Sequence, residues 1–311
     1  MFLATCEVFT KNGWKLLPEE PCSIPDVFTF DPNSGKIELG KFTYKTTEYV
    51  GKVVTIQNRL LDLVFPELSM FLTNQQEKIN CYCRFPVYAI NKKSTTSLPV
   101  SGYYEGSEIE DPLLLYLVGI IISKGRLSSE NIELFIEMED LADHISDVLT
   151  ELSISHKKNS IQIGDTTATA FKIQNYKQYE FSKYFNNSLH PNSMLLEISI
   201  PERLAIIEAI MDTCSSKRDR FIFTHPDKQI HEFIRDLLTL SGMNSYYVKT
   251  MYSGLSLSIK PEPFATVHHS NFDNSISKAE MNSKFISGKN KFNTVVVKCA
   301  DKICVVHTDN P

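Results

Sequence analysis

Two apolar, helix-forming stretches follow one plan in this chain. The first is Leu-Tyr-Leu-Val-Gly-Ile-Ile-Ile-Ser-Lys-Gly, residues 115 to 125. The second is Arg-Leu-Ala-Ile-Ile-Glu-Ala-Ile-Met-Asp-Thr-Cys-Ser, residues 203 to 215. After each come a strand-like segment, an amphipathic helix and a strand pair, so a unit of about ninety residues occurs twice. Helices this apolar are buried, and the duplication predicts that the twins meet in the middle of one fold.

The spacing of apolar residues gives the parts. Asp111-Pro112 opens the first helix, with Pro suited to the first turn, and the helix ends near Gly125. Asn131 to Glu137 alternates and reads as a strand. Glu139 to Leu152 puts Leu141, Ile145, Val148, Leu149 and Leu152 on one helical face. Ser153–His156 with Ser160–Ile163, and Phe171–Gln174, read as strands, and Tyr176–Phe185 as a helix. In the second copy a helix starts at Ser199 or Pro201 and runs to about Asp212. Phe221–Thr224 is its strand. Lys228–Leu240 is its amphipathic helix, stopped near Gly242. Tyr246–Thr250 and Leu255–Ile259 add two strands.

Residues 1 to 108 read as short strands and polar turns. Asn12-Gly13 and Asp31-Pro-Asn-Ser-Gly35 mark hairpins. Tyr49–Gln57, Leu60–Val64 and Tyr82–Asn91 are further strands. Residues 263 to 288 read as a polar linker. Thr294–Cys299 and Lys302–Val306 form a hairpin around Ala300-Asp301, and 289 to 311 would complete the N-terminal β module.

The 311 residues suffice for about two or three domains. Lys plus Arg number 32 against 37 Asp plus Glu, a net charge of -5 that announces no overall basic surface. Seven cysteines make no disulfide framework at this length, and Cys81 and Cys83 have no second pair at zinc spacing. Reduced thiols in a cytoplasmic or nuclear setting are expected, with Cys6 a core or surface thiol. The N-terminus has no export pattern. Leu113–Ile122 is apolar over only about ten residues, too short for a bilayer, so no membrane partner is expected.

The two helical stretches resemble the paired LAGLIDADG motifs of homing endonucleases. In that family the motif helices pack at a pseudo-twofold axis, and each presents an acid to shared catalytic metals. Leu117, Gly119 and Gly125 keep the first motif's shape, with Lys124 at the acid's place. Ala209 takes a packing-glycine position and Asp212 the motif's earlier aspartate. Thr213-Cys214-Ser215 replaces the last three residues, with Cys214 at the catalytic acid's place.

The N-terminal part is similar to the front of an intein splicing domain, or Hint module. Thr5–Leu17 resembles the first splicing block, and Asp62–Phe71 the block in which Phe65 and Leu68 replace threonine and histidine. The chain ends Val-His-Thr-Asp-Asn-Pro, without the terminal His-Asn and nucleophile. The two resemblances together imply a mainly β Hint-like module (1 to 108) and an α/β (α+β) pseudo-twofold duplicated LAGLIDADG-like domain (109 to 262).

Cleavage on such a scaffold needs carboxylates for hard divalent ions. Lys124 brings a positive charge instead, and Cys214 is a soft ligand. Splicing needs a nucleophile, a base and a cyclising asparagine, and Leu68 cannot act as the base. The degenerate positions Lys124, Cys214 and Leu68 therefore predict no catalysis, no cofactor and no metal. His268-His269 reads as an exposed pair whose side chains diverge. His225, Asp227 and His231 lack a full ligand set. Lys217, Arg218, Arg220 and Lys249 are candidate nucleic-acid contacts.

The preferred reading is a non-catalytic binding or structural subunit working through a protein partner in a larger assembly. The alternatives are a non-cleaving double-stranded DNA-binding protein and a residual magnesium-dependent endonuclease. Against DNA stand the acid excess and the glutamates of Asn131–Glu137. Lys- and Asn-rich usage suggests an AT-rich source, such as a virus.

Overall fold

The computed structural model describes residues 1–58, 61–74, 82–86, 95–107, 110–128, 130–179, 181–217, 220–249, 255–260, 264–268, 276–292 and 294–308. Arg218, Cys81, His269, residues 87–91 and the terminal 309–311 lie outside them.

The chain divides into two compact units. The first takes Met1–Glu105, Leu238–Tyr246 and Pro261–Pro311; the second takes Gly106–Leu237 and Tyr247–Lys260. The opening strands are β1 (Phe2–Leu3), β2 (Glu7–Thr10), β3 (Gly13–Leu16), β4 (Cys22–Phe30) and β5 (Lys36–Gln57). After them come β6 (Asp62–Pro66), β7 (Met70–Asn74), β8 (Tyr82–Pro86), β9 (Thr95–Pro99) and β10 (Tyr103–Tyr104). The first copy of the repeat is α1 (Pro112–Lys124), β11 (Gly125–Ser128), β12 (Asn131–Ile136), α2 (Glu139–Glu151), β13 (His156–Ile163) and β14 (Thr166–Ile173). The second copy is α3 (Ile200–Asp212), β15 (Ser215–Lys217), β16 (Arg220–Thr224), α4 (Lys228–Leu240), β17 (Asn244–Lys249) and β18 (Leu255–Lys260). The chain closes with β19 (Phe264–His268), β20 (Ile276–Lys289), β21 (Thr294–Cys299) and β22 (Lys302–His307).

Strand β5 organises the first unit. It pairs with β4, β6, β10 and β20 in a ten-stranded sheet whose main order is β1-β20-β5-β4-β2-β21-β22. Its inward side chains, among them Phe42, Tyr44, Val54 and Ile56, join Ile286 and Val297 in one core. The Asn12-Gly13 turn closes β2 on β3, with Gly13 at φ 93, the left-handed region that a tight hairpin requires. Ala300 and Asp301, at φ 47 and 62, close β21 on β22.

Several expectations need correction. The segment expected as a polar linker, 263–288, holds β19 and β20, and β20 pairs with β5 from Ile276 to Lys289. Many of its positions are polar, yet Phe285, Ile286 and Ser287 in succession are buried. Tyr176–Phe185 is two short 3-10 turns rather than one helix. Tyr176, Phe181, Tyr184 and Phe185 are buried at a spacing that fits no single helical face. One strand was expected between α1 and α2, but a hairpin, β11–β12, stands there.

The expectation of free thiols fails at Cys6. It forms a disulfide with Cys299, with the Cα atoms 4.6 Å apart. The β2–β21 register, Glu7 opposite Lys298 and Val8 opposite Val297, brings Cys6 opposite Cys299. That register joins the two ends of the chain and is invisible in local sequence. Cys22, Cys214 and Cys304 are free.

The disulfide closes a loop of nearly the whole chain, so its loss relaxes the unfolded state strongly. Reduction, or the pair Cys6→Ser with Cys299→Ser, is expected to remove about 2–4 kcal/mol of unfolding free energy. Urea unfolding with and without reductant measures it; an unchanged midpoint would contradict the bridge.

Candidate functional site

Helix α1 is capped by Asp111, whose carboxylate accepts from the Leu113 N–H at 2.9 Å, and Pro112 occupies its first turn. Every residue from Leu115 to Ser123 is buried. Helix α3 is fixed at its start by the buried Glu202, whose carboxylate accepts from the backbone N–H of Ser199 (2.8 Å) and of Glu110 (2.7 Å). A carboxylate in the first turn also suits the positive end of the helix dipole.

The twins touch at Gly119. A Cβ there would stand 2.6 Å from the Ile206 carbonyl oxygen and 2.7 Å from the Ala209 Cβ. Only a residue without a side chain permits that approach. One turn from the Gly119–Ala209 contact, the Tyr116 hydroxyl donates to Asp212 Oδ2 at 2.7 Å and ties α1 to the last residue of α3. Burial, then the Asp212 bond, pushes the Tyr116 phenol well above its ordinary range. Asp212 is thus engaged in holding the helices together.

Beyond the helices, the chain carries what the sequence placed at the acids' positions. Lys124 ends α1, and the Gly125 N–H then bonds to the Ile121 carbonyl as β11 begins. Cys214 follows α3, and its thiol donates to the Ile210 carbonyl at 3.1 Å. Burial pushes that thiol up to about 12, with Lys124 opposing the shift and Asp212 adding to it. Lys124 also acts on His225, whose imidazole burial and His231 hold below the ordinary value. Lys124 therefore acts electrostatically on both Cys214 and His225. A thiol kept protonated and an ammonium offer no hard anionic ligands. Among the described residues, no group of three or more His, Cys, Asp or Glu could hold a metal ion.

A cavity of about 600 Å³ opens nearby, lined by Tyr116, Met138, Glu139, Asp140, Leu141, His144 and Asp212. The His144 ring meets Tyr116 edge-on at 5.1 Å.

The two copies build sheets of the same strand order, β11-β12-β14-β13 and β15-β16-β18-β17. In the first sheet Ile132, Leu134, Ile136, Phe171 and Ile173 are buried. The alternate residues form rows on the other face, because directly opposed residues share a face. Arg126 stands opposite Glu133, Glu133 opposite Lys172, and Lys172 opposite Lys157. The Lys172 ammonium lies 4.0 Å from the Glu133 carboxylate. Beside this row stand Ser128 and Asn131 on one side, and Phe135 and Asn159 on the other. The Arg126 guanidinium sits 5.4 Å from the Phe135 ring centre. Of the two glutamates that weighed against nucleic acid, Glu133 is thus outnumbered by three cations within its own row, while Glu137 is exposed just after β12. In the second sheet, Ser258 and Ser256 stand opposite Ile222 and Thr224, and both serines are fully buried.

Of the expected contacts, Lys217 and Arg220 are register partners across β15 and β16, and Lys249 ends β17. Arg218 lies outside the described residues. Leu68 belongs to the first unit, in the turn between β6 and β7, and is 65% exposed. Sequence reasoning missed Arg126, Lys157 and Lys172. Their charges were visible, but only the pairing of four strands lines them up. Alternation around Lys172 was the one available signal.

No family model and no curated protein matches this sequence. Among solved structures, the N-terminal LAGLIDADG domain of DUF199/WhiA is similar at 11% identity, over 48% of this chain and 74% of that one, with a TM-score of 0.38. Full-length DUF199/WhiA from Thermatoga maritima is similar at 11% identity over 48% of this chain and 50% of that one, again with a TM-score of 0.38. This chain thus spans half the length of that protein. I-DmoI in complex with DNA and Mn is similar at 17% identity over 48% of this chain and 89% of that one, with a TM-score of 0.36. These are distant, partial likenesses of fold.

Filling the helix contact tests the arrangement. Gly119→Val would drive a branched side chain into the Ile206 backbone, which cannot retreat as a side-chain end could. It is expected to cost about 2–3 kcal/mol in urea unfolding. A cost below about 0.5 kcal/mol would mean that α1 and α3 do not meet there.

Proposed function

We propose that the second unit binds double-stranded DNA without cutting it. The observation that carries this reading is the row Arg126–Glu133–Lys172–Lys157 on the outer face of the first sheet. Three cations and one carboxylate make that row net positive on a chain whose overall charge is -5. Long basic side chains on a strand reach phosphates, and neighbouring Asn and Ser side chains suit base edges and sugar oxygens. A β surface of this kind fits the major groove, which agrees with the resemblance of the repeated helices to LAGLIDADG motifs.

Among its described residues the same unit holds no ligand set for hydrolysis. Magnesium would need carboxylate oxygens between the helix tips. Lys124 there repels a cation, and Asp212 is bonded to Tyr116. An ammonium at this place suits a phosphate that is held rather than cut. The reading that rests on a protein partner needs an apolar docking surface. Among the described residues of this unit, the exposed large apolar side chains are Leu127, Met138 and Leu204, which lie on β11, before α2 and on α3.

The test is an anisotropy titration of a labelled random duplex at several salt concentrations. Wild-type affinity should fall steeply with salt. Arg126→Gln with Lys157→Gln and Lys172→Gln should weaken binding at least about tenfold and flatten the log–log salt slope by about 2–3. No binding at low salt, or an unaltered slope in the triple variant, would overturn the reading.

A further inference from the structure

Helix α4 rests on the second sheet through His231, a residue with none of its surface exposed. Its Nε2–H donates to the His225 carbonyl at 3.0 Å, while Nδ1 meets no hydrogen-bond partner among the described residues. That pattern is the neutral imidazole. The ring packs between Tyr247, 6.0 Å between centres, and Phe223, 5.3 Å. In the loop after β16, His225 accepts the Asp227 N–H on its own Nδ1 at 3.0 Å, so it too is held neutral. The two imidazoles lie 6.5 Å apart.

We propose that His231 and His225 form a pH-sensitive latch: neutral, they hold the first turns of α4 on the second sheet, and protonated, they release them. Burial and Arg235 oppose a positive charge on His231; the carboxylates of Glu232 and Asp227 favour it, but each is engaged with another side chain. On α4, Arg235 is buried and stacked 4.7 Å from the Tyr247 ring. Glu232 on the same helix accepts the Tyr247 hydroxyl at 2.8 Å and lies 3.8 Å from Arg235. Asp227 is paired with His190 at 2.6 Å. From α1, Lys124 adds a further cation that His225 feels. His231 lies in the first turn of α4, where the helix dipole also disfavours a cation. A proton on its Nδ1 would be a buried charge without an acceptor, so the helix must lift to hydrate it.

Burial, with Arg235 adding to it, holds His231 below its ordinary value, and burial with His231 and Lys124 does the same for His225. The sign follows. The unfolded chain takes up these protons near pH 6.5 while the folded one resists them. Stability is therefore complete above about pH 6.5 and falls as pH drops below it, until the lowered folded values are reached. Asp227, also lowered, keeps its contribution down to more acid conditions and so lies outside that window.

The experiment compares wild type with His231→Phe between pH 7.5 and 5, by thermal unfolding and by hydrogen exchange. Wild type should lose about 4–8 °C in Tm. Exchange at α4 amides should quicken about tenfold while α1 amides stay protected. His231→Phe keeps the ring packing and should lose less than half as much. Imidazole NMR of folded wild type should show His231 as the neutral Nε2–H form at neutral pH, titrating below its ordinary value of 6.5. A full wild-type fall in the variant, or an NMR titration of His231 at pH 6.5 or above, would overturn the latch. If His231→Phe does not fold, the NMR titration decides alone.

Discussion

A missing side chain at Gly119 lets two buried helices meet backbone to side chain, and the second unit is arranged around that meeting. With a Cβ only 2.6 Å from a carbonyl oxygen, the helices could not stay where they are. Their closeness sets where each strand pair starts, because β11 and β15 leave directly from the helix ends. It also sets which residues share the space beyond the tips. The Tyr116–Asp212 bond fastens the same joint a turn away.

The chemistry follows from what stands at the joint. An ammonium at Lys124 and a half-buried thiol at Cys214 whose titration is pushed up make a place that attracts no hard cation. The attached first sheet meanwhile gathers Arg126, Lys172 and Lys157 around one carboxylate. The proposed DNA binding rests on that pair of properties: a net-positive row and, among the described residues, no cluster of three or more His, Cys, Asp or Glu for a metal ion. The copies are alike in strand order yet unlike in surface: Ser256 and Ser258 are buried where the first copy carries its open row.

Much of the second unit was legible in the sequence because helices and half-buried strands announce themselves by local period. The four helices of the repeat, the helix packing at Gly119 and Ala209, and the positions of Lys124 and Cys214 could all be read there. What escaped depends on partners distant in the chain. The charged row needs three strand registers. The Cys6–Cys299 bridge needs β2 beside β21. The 276–289 strand carries polar residues at many positions, and only its pairing with β5 turns it from a linker into sheet. Tyr176–Phe185 misled because its aromatics are buried by short turns rather than by one helical face.

The central claim is that this joint and its sheet engage duplex DNA and leave it intact. The most direct measurement is a cleavage assay on a pooled duplex library, with protein in excess and magnesium or manganese raised to millimolar levels. The account predicts uncut duplex at every metal concentration. Discrete double-strand products that depend on the metal, and that vanish in Asp212→Asn, would contradict it.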